Sequence, residues 1–264
     1  MLKYFLLLAA AFLFTSFSEP SSNSFTGKLA SPGEVKGVLT KSNFQDSIRS
    51  LYNYLQLEKA GLGFDAFNYG MVGYYNLRYE GKLGKKNFLT IIDFTQASTK
   101  KRLYAIDLDD KSVKYNTYVA HGKNTGQNMA TSFSNVPHSN QSSLGFYVTG
   151  ETYVGSKGYS LRLDGAESKY NGNLRSRAVV IHEADYVSES WIKRYGRLGR
   201  SQGCPALPKE LSREIINTIK DKTAVFAYYS SDKYLNASVY LDNDVLMKRL
   251  DEQETLLAQA QLSE

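Results

Sequence analysis

The sequence predicts a mainly β domain, a sandwich or barrel, with an N-terminal helical hairpin and one helix directly after the single cysteine. Three observations carry this. From residue 87 onward, short apolar runs alternate with polar residues at the two-residue period of strands, as in SVKYNTYVA, where Val113, Tyr115, Thr117 and Val119 alternate. Gly, Asn and Ser punctuate these runs at short spacing, which suits a sandwich or barrel. Before residue 87 the apolar period is helical instead.

The elements follow in order. Residues 1–18 place Lys3, an apolar run from Tyr4 to Phe14, and small residues Ser16 and Ser18 as a secretory signal peptide does. The run is short for a membrane span, and no cysteine follows it to carry a lipid anchor. The expectation is an exported protein with no stable membrane insertion after signal cleavage. Residues 19–39, rich in Ser, Pro and Gly, read as a linker. Residues 40–82 form the helical region. Ser42 with Gln45 three residues later suggests a capping box, Phe44, Ile48, Leu51 and Leu55 share a face, and Gly61 is the stop. A second helix is expected from about 64 to 78, with Phe67, Met71 and Tyr74 inward and Gly81 as its stop.

Residues 83–232 form the β-rich unit. Its strands are expected in NFLTIIDF, RLYAIDL, SVKYNTYVA, LGFYVTG, YSLRL, AVVIHE and TAVFAYY, with Asp109-Asp110-Lys111 turning a hairpin. A helix from about 208 to 220 turns Leu211, Ile215 and Ile219 inward. The tail, 233–264, carries Val245, Leu246, Leu250 and Leu257 at loosely helical spacing.

Composition narrows function less than these patterns do. A net charge of +6 favours an anionic partner. The basic residues lie in short runs such as Lys85-Lys86 and Lys100-Lys101-Arg102, too sparse for a nucleic-acid arm, so no nucleic acid is expected. Asp164, Glu167 and Asp185 lack a coherent ligand spacing, so no metal is expected either.

The stretch GRLGRSQGCP (196–205) holds the only cysteine, Cys204. In an exported chain one thiol makes no internal disulfide; it is buried and inert, paired with another chain, or reactive. Glycines, arginines and a proline surround it, which points to reactivity. Only the thiolate attacks carbon well, so a base or a positive environment is needed. Three histidines are present: His121, His138 and His182. His182 ends the strand AVVIHE and suits a Cys–His pairing across a cleft. His121, before Gly122, is a rival as base or as a substrate-binding residue, and spacing alone fixes no distance. Backbone N–H groups near Gly203, between Gln202 and Cys204, suit an oxyanion hole. Arg197 and Arg200 suit lowering the thiol pKa and holding substrate carboxylates.

Ser201-x-Gly203-Cys204 after a strand-end histidine resembles the SxGC signature of the murein L,D-transpeptidases, the YkuD-type catalytic domain. SSLGFYVTGE (142–151), GYSLRLDG (158–165) and RSRAVVIHEADYV (175–187) extend the resemblance over roughly residues 87 to 230. The chain looks closest to the branch with an extra helical N-terminal region. The resemblance implies an L,D-transpeptidase-like β fold with a cleft and no cofactor. It implies peptidoglycan stem peptides as partner and the periplasm or envelope of a bacterium as location. By position, Cys204 is the nucleophile, His182 the base, and the Glu183 backbone carbonyl the group that orients the imidazole. The thiolate would attack the carbonyl of the third stem residue, expel D-Ala, and pass the acyl group to an amine.

The pattern departs from the family at three places. Glu183 stands where glycine is usual, Gln202 where histidine is usual, and Ala206 where an arginine is common. A carboxylate at 183 would either repel the acidic stem or bind the amine. Arg162, Arg197 and Arg200 are the candidates to replace the lost arginine, with Ser201 also at the substrate. Three readings follow: a transpeptidase, a carboxypeptidase that uses water in place of the amine, and a non-catalytic wall-binding protein.

Overall fold

The computed structural model describes residues 39–262; the expected signal peptide and nearly all of the expected linker lie outside them. One eight-stranded sheet organises the fold, and helices cover it.

The first helix is divided. α1 (Phe44–Tyr54) buries Phe44, Ile48, Leu51 and Tyr52. Gln56 then takes a left-handed conformation (φ 51°), and a short turn, α2 (Leu57–Ala60), follows. The break turns Leu57 into the core, which an unbroken helix to Gly61 would not do. The helix starts at Phe44 because Thr40 and Asn43 exchange hydrogen bonds just before it, in place of the expected Ser42–Gln45 box. α3 (Phe64–Tyr79) packs on α1, with the Tyr52 ring edge-on to Phe64 and tilted against Phe67. Its inward side presses on the sheet so closely that a Cβ on Gly73 would fall 1.9 Å from the Phe146 ring.

The strands are β1 (Phe88–Asp93), β2 (Leu103–Asp107), β3 (Ser112–Thr117), β4 (Gly145–Gly155), β5 (Gly158–Gly165), β6 (Val180–Glu183), β7 (Ala206–Leu207) and β8 (Ala224–Tyr228). Their order is β3-β2-β1-β8-β4-β5-β6-β7. The hairpin of β2 and β3 is antiparallel, as Asp109-Asp110-Lys111 implies. The late strand β8 enters the middle, parallel to β1 and antiparallel to β4. An isolated bridge joins Ala120, just past β3, to Ala206 in β7, so the two ends of the order nearly meet. The sheet is therefore a nearly closed barrel.

α4 (Glu189–Tyr195) is a short helix with no apolar period to announce it, capped by Ser188, whose hydroxyl accepts from the Trp191 N–H. α5 (Lys209–Ile219) follows the cysteine loop and buries Ile215, Ile216 and Ile219. Leu211, expected inside, is 36% exposed, and Ile216 faces the core instead. α5 packs on β5 and β6, while Tyr115 of β3 donates to Glu214, so this helix touches strands near both ends of the order. After the short α6 (Asp232–Leu235), α7 (Asn243–Leu262) buries Leu246 and Leu250 and returns to α3, where Arg249 bonds Asn76. The helices at the two ends of the described chain thus brace each other. Among the described residues, no helix is long and apolar enough to cross a membrane.

Candidate active site

The site forms where β6, the cysteine loop and the long segment 118–144 converge. β6 and β7 are parallel, with His182 paired to Ala206, two residues beyond Cys204. Val180 and His182 alternate along β6 and so share a face. The Cys204 Sγ accepts from the Val180 N–H at 3.5 Å and donates to the Ala178 carbonyl at 3.8 Å. The thiol is therefore held at the β6 backbone two residues before His182. Ala178 has φ 52°, a strained value for a residue with a Cβ, and it turns the chain into β6 just where its carbonyl meets the thiol.

His182 is buried, and its Nδ1 lies 2.7 Å from the Glu183 carbonyl oxygen. A carbonyl only accepts, so Nδ1 carries the proton and Nε2 keeps its lone pair. Burial pulls the His182 pKa below 6.5; the Glu183 carbonyl opposes this and Lys157 adds to it. The imidazole is thus neutral at pH 7. Burial pushes the Cys204 thiol up, against the Val180 N–H and the positive charges of Arg177 and Lys157. A neutral thiol, and a neutral imidazole whose Nε2 keeps its lone pair, are the protonation states that general-base activation during attack requires.

The cysteine loop is held by its own hydroxyl. Ser201 Oγ donates to the Cys204 carbonyl at 2.6 Å and accepts from the Gly203 N–H at 3.0 Å. The Gly203 N–H is thereby engaged with Ser201, while Gln202 is exposed beside it. Gly203 has φ 120°, and a Cβ there would sit 2.7 Å from the Gln141 carbonyl. Gly203→Ala should therefore cost about 2 kcal/mol or more of stability, from left-handed strain plus overlap. It should also slow alkylation of Cys204 by iodoacetamide. Wild-type melting and alkylation in that variant would contradict this packing.

His121 has a different place. It is buried, its Nδ1 accepts from the Arg102 guanidinium at 2.8 Å, and its Nε2 lies 3.3 Å from the Gly126 carbonyl. Both ring nitrogens are engaged, and burial with Arg102 lowers its pKa to about 4. Its backbone carbonyl in turn accepts from the Ser201 N–H at 2.9 Å, and Ser142 bridges Gly122 and Gly203. Arg102, which also holds the Val119 and Gln96 carbonyls, anchors this chain of contacts. His121 supports the cysteine loop from beneath and has no lone pair free to act as base.

The arginines expected at the thiol are turned elsewhere. Arg197 donates to the Leu198 carbonyl, and Arg200 donates to those of Lys123 and Gly126. Arg162 lies across from Val180 on β5 but pairs with Glu151 at 3.0 Å, in a network that continues through Arg175 to Asp164. The cations whose charge reaches the thiol are Arg177 and Lys157. Arg177 bonds Ser134, Ser139, Gln141 and Ser143, drawing the segment 134–143 toward the cysteine loop. Sequence reasoning passed over both. Arg177 lies only five residues before His182, and that closeness was the available signal. Tyr186, half-buried near the thiol, was missed as well; burial, with a smaller contribution from Cys204, raises its pKa to about 12. His138 is exposed. Asp164, Glu167 and Asp185 stand apart: Asp164 pairs with Arg175, Glu167 is buried under Tyr234 and Ser238, and Asp185 faces Lys209.

No curated protein matches this sequence. Among solved structures, similarity extends to an L,D-transpeptidase from Mycobacterium smegmatis at 12% identity and a TM-score of 0.35, covering 55% of this chain and 59% of that one. It also extends to the helical cell shape determining protein Pgp2 from Campylobacter jejuni at 16% identity and a TM-score of 0.36, covering 67% of this chain and 62% of that one. The chain thus spans about three-fifths of the length of the solved chains it matches. The model of the L,D-transpeptidase catalytic domain matches residues 58–228, well over half of the chain and inclusive of α3, the sheet and the cysteine loop. On that match, the chain belongs to the L,D-transpeptidase catalytic-domain family.

Proposed function

We propose that this protein is an exported peptidoglycan L,D-transpeptidase that works through a Cys204 thioester. The family acts on peptidoglycan peptides, which suits an envelope location. The observation that carries the reading is the 2.7 Å contact between His182 Nδ1 and the Glu183 carbonyl, with Cys204 Sγ held at Val180 on the same strand. That contact fixes the tautomer in which Nε2 can take the thiol proton. The sulfur then attacks the carbonyl of the third residue of a stem tetrapeptide. The C–N bond to D-Ala breaks, and the imidazolium returns its proton to the departing amine. An amine from another stem resolves the thioester. Residues 83–232 would be the catalytic unit, and the helices of 40–82 and 233–264 would brace it.

A carboxypeptidase at the same site differs only in the species that resolves the thioester. Product analysis by mass spectrometry separates the two. Incubation with disaccharide-tetrapeptide should give crosslinked dimer with wild-type protein and none with Cys204→Ala. Tripeptide without dimer would assign a carboxypeptidase. Products that persist in Cys204→Ala would remove the thiol from the mechanism.

A further inference from the structure

Of the backbone polar groups of Gly203 and Cys204, one is left over. Ser201 Oγ holds the Gly203 N–H and the Cys204 carbonyl. The Gly203 carbonyl accepts from Ser142 Oγ at 3.2 Å. The Cys204 N–H finds no acceptor among the described residues. Ser142 is buried, and its hydroxyl accepts from the Gly122 N–H at 3.0 Å, so its single proton goes to the Gly203 carbonyl. Arg177 grips the residues on either side of Ser142: Nη2 donates to the Gln141 carbonyl at 2.7 Å and Nη1 to Ser143 Oγ at 2.7 Å. Its bonds to the Ser134 carbonyl and Ser139 Oγ fix the rest of the same segment. The backbones themselves touch. A Cβ on Gly122 would fall 2.5 Å from the Asn140 carbonyl oxygen and 2.9 Å from the Gly203 Cα.

Building on the thioester reading, we propose that Ser142 and Arg177 are positioning residues that aim the Cys204 N–H at the oxyanion of acyl transfer. A trans peptide is planar, with its carbonyl and its N–H on opposite sides. Fixing the Gly203 carbonyl on Ser142 therefore turns the Cys204 N–H away from the segment 134–143 and leaves it open to a ligand. The donor belongs to the same residue as the attacking sulfur, so a carbonyl carbon bonded to Sγ can bring its oxygen to that N–H. As the C–S bond forms, the carbonyl π pair moves onto oxygen and the thiol proton passes to His182. A donor already fixed in place meets the new charge without reorganisation. The carbonyl re-forms as the C–N bond to D-Ala breaks. Arg177 acts through Ser142. Its planar fork holds Gln141 and Ser143, and a lysine there would keep the charge but lose the fork.

Two reactions of the same thiol test this. Acylation by disaccharide-tetrapeptide passes through an oxyanion, whereas alkylation by iodoacetamide displaces iodide and forms none. Ser142→Ala and Arg177→Lys should each lower kcat for D-Ala release about tenfold, a share of what one oxyanion donor supplies, because the donor remains but is misaimed. KM should stay within about twofold, since the contact gains strength only in the transition state. The rate of alkylation of Cys204, the only cysteine, and its pH profile should stay close to wild type in both variants. A role in merely holding the loop together would slow both reactions alike. Alkylation that falls in step with acylation would therefore overturn the aiming role, as would an unchanged kcat. If Ser142→Ala does not fold, the same pair of rates in Arg177→Lys decides. Wild-type protein that releases no D-Ala, or D-Ala release that survives in Cys204→Ala, would instead overturn the thioester reading beneath it.

Discussion

His182→Ala is expected to slow acylation of Cys204 about a thousandfold, within the range of general-base contributions. The variant should stay folded, because among the described residues the one side-chain hydrogen bond it loses is that to the Glu183 carbonyl. The size of the effect follows from the resting state. Burial holds the thiol protonated and the imidazole neutral, so attack without Nε2 would need a thiolate that the site disfavours. The wild-type rate should fall as the pH is lowered, with the acid limb below 6.5, because burial and Lys157 both disfavour the imidazolium. The apparent constants belong to the Cys–His pair. A loss under about tenfold in His182→Ala would assign the base elsewhere.

The largest stability effect is expected at Arg102. Its guanidinium is fully buried and bonds the Val119 and Gln96 carbonyls and His121 Nδ1. Arg102→Met keeps the volume but strands those acceptors, at a cost of about 3–5 kcal/mol, the scale for removing one partner of a buried charged contact. Urea unfolding at pH 7 measures it, and a loss below about 1 kcal/mol would show that these contacts are dispensable. His121 adds an acid dependence. In the folded protein it titrates near 4, and in the unfolded chain near 6.5. As pH falls, the unfolded chain takes the proton first. This contribution is therefore complete above 6.5 and is lost progressively down to about pH 4, by about 3 kcal/mol. His121→Gln should flatten that part of the stability profile.

The elements legible in the sequence were those whose signal is local. The two-residue period in SVKYNTYVA and the turn at Asp109-Asp110-Lys111 mark β3 and its hairpin, and both depend on neighbours in the chain. The strand end at His182 and the glycine-flanked loop at Cys204 were legible one by one because each carries a local mark, while the parallel pairing of β6 with β7 that brings the strand and the loop together carries none. Partners across the fold were not. Nothing in TAVFAYY says that β8 enters between β1 and β4. Arg200 and Arg197 lie close to Cys204 in sequence, yet backbone carbonyls capture their guanidinium groups. Arg177 and Lys157 reach the thiol from 27 and 47 residues away in sequence, through the entry to β6 and a hairpin turn. Periodicity reports the face a residue occupies, not what that face meets. The Gln56 break escaped for the same reason: no glycine or proline marks a stop between Leu55 and Gly61, and packing turns the chain there so that Leu57 is buried.

The central claim is that Cys204 carries the acyl group. Its most direct test is the intact mass of the protein after brief mixing with disaccharide-tetrapeptide in acid-quenched samples, followed by peptide mapping. The account predicts an adduct equal to the disaccharide-tripeptide acyl group, located on Cys204 and absent from Cys204→Ala, with D-Ala released in equal amount. D-Ala release by wild-type protein with no adduct on Cys204 at any quench time, and undiminished in Cys204→Ala, would contradict it.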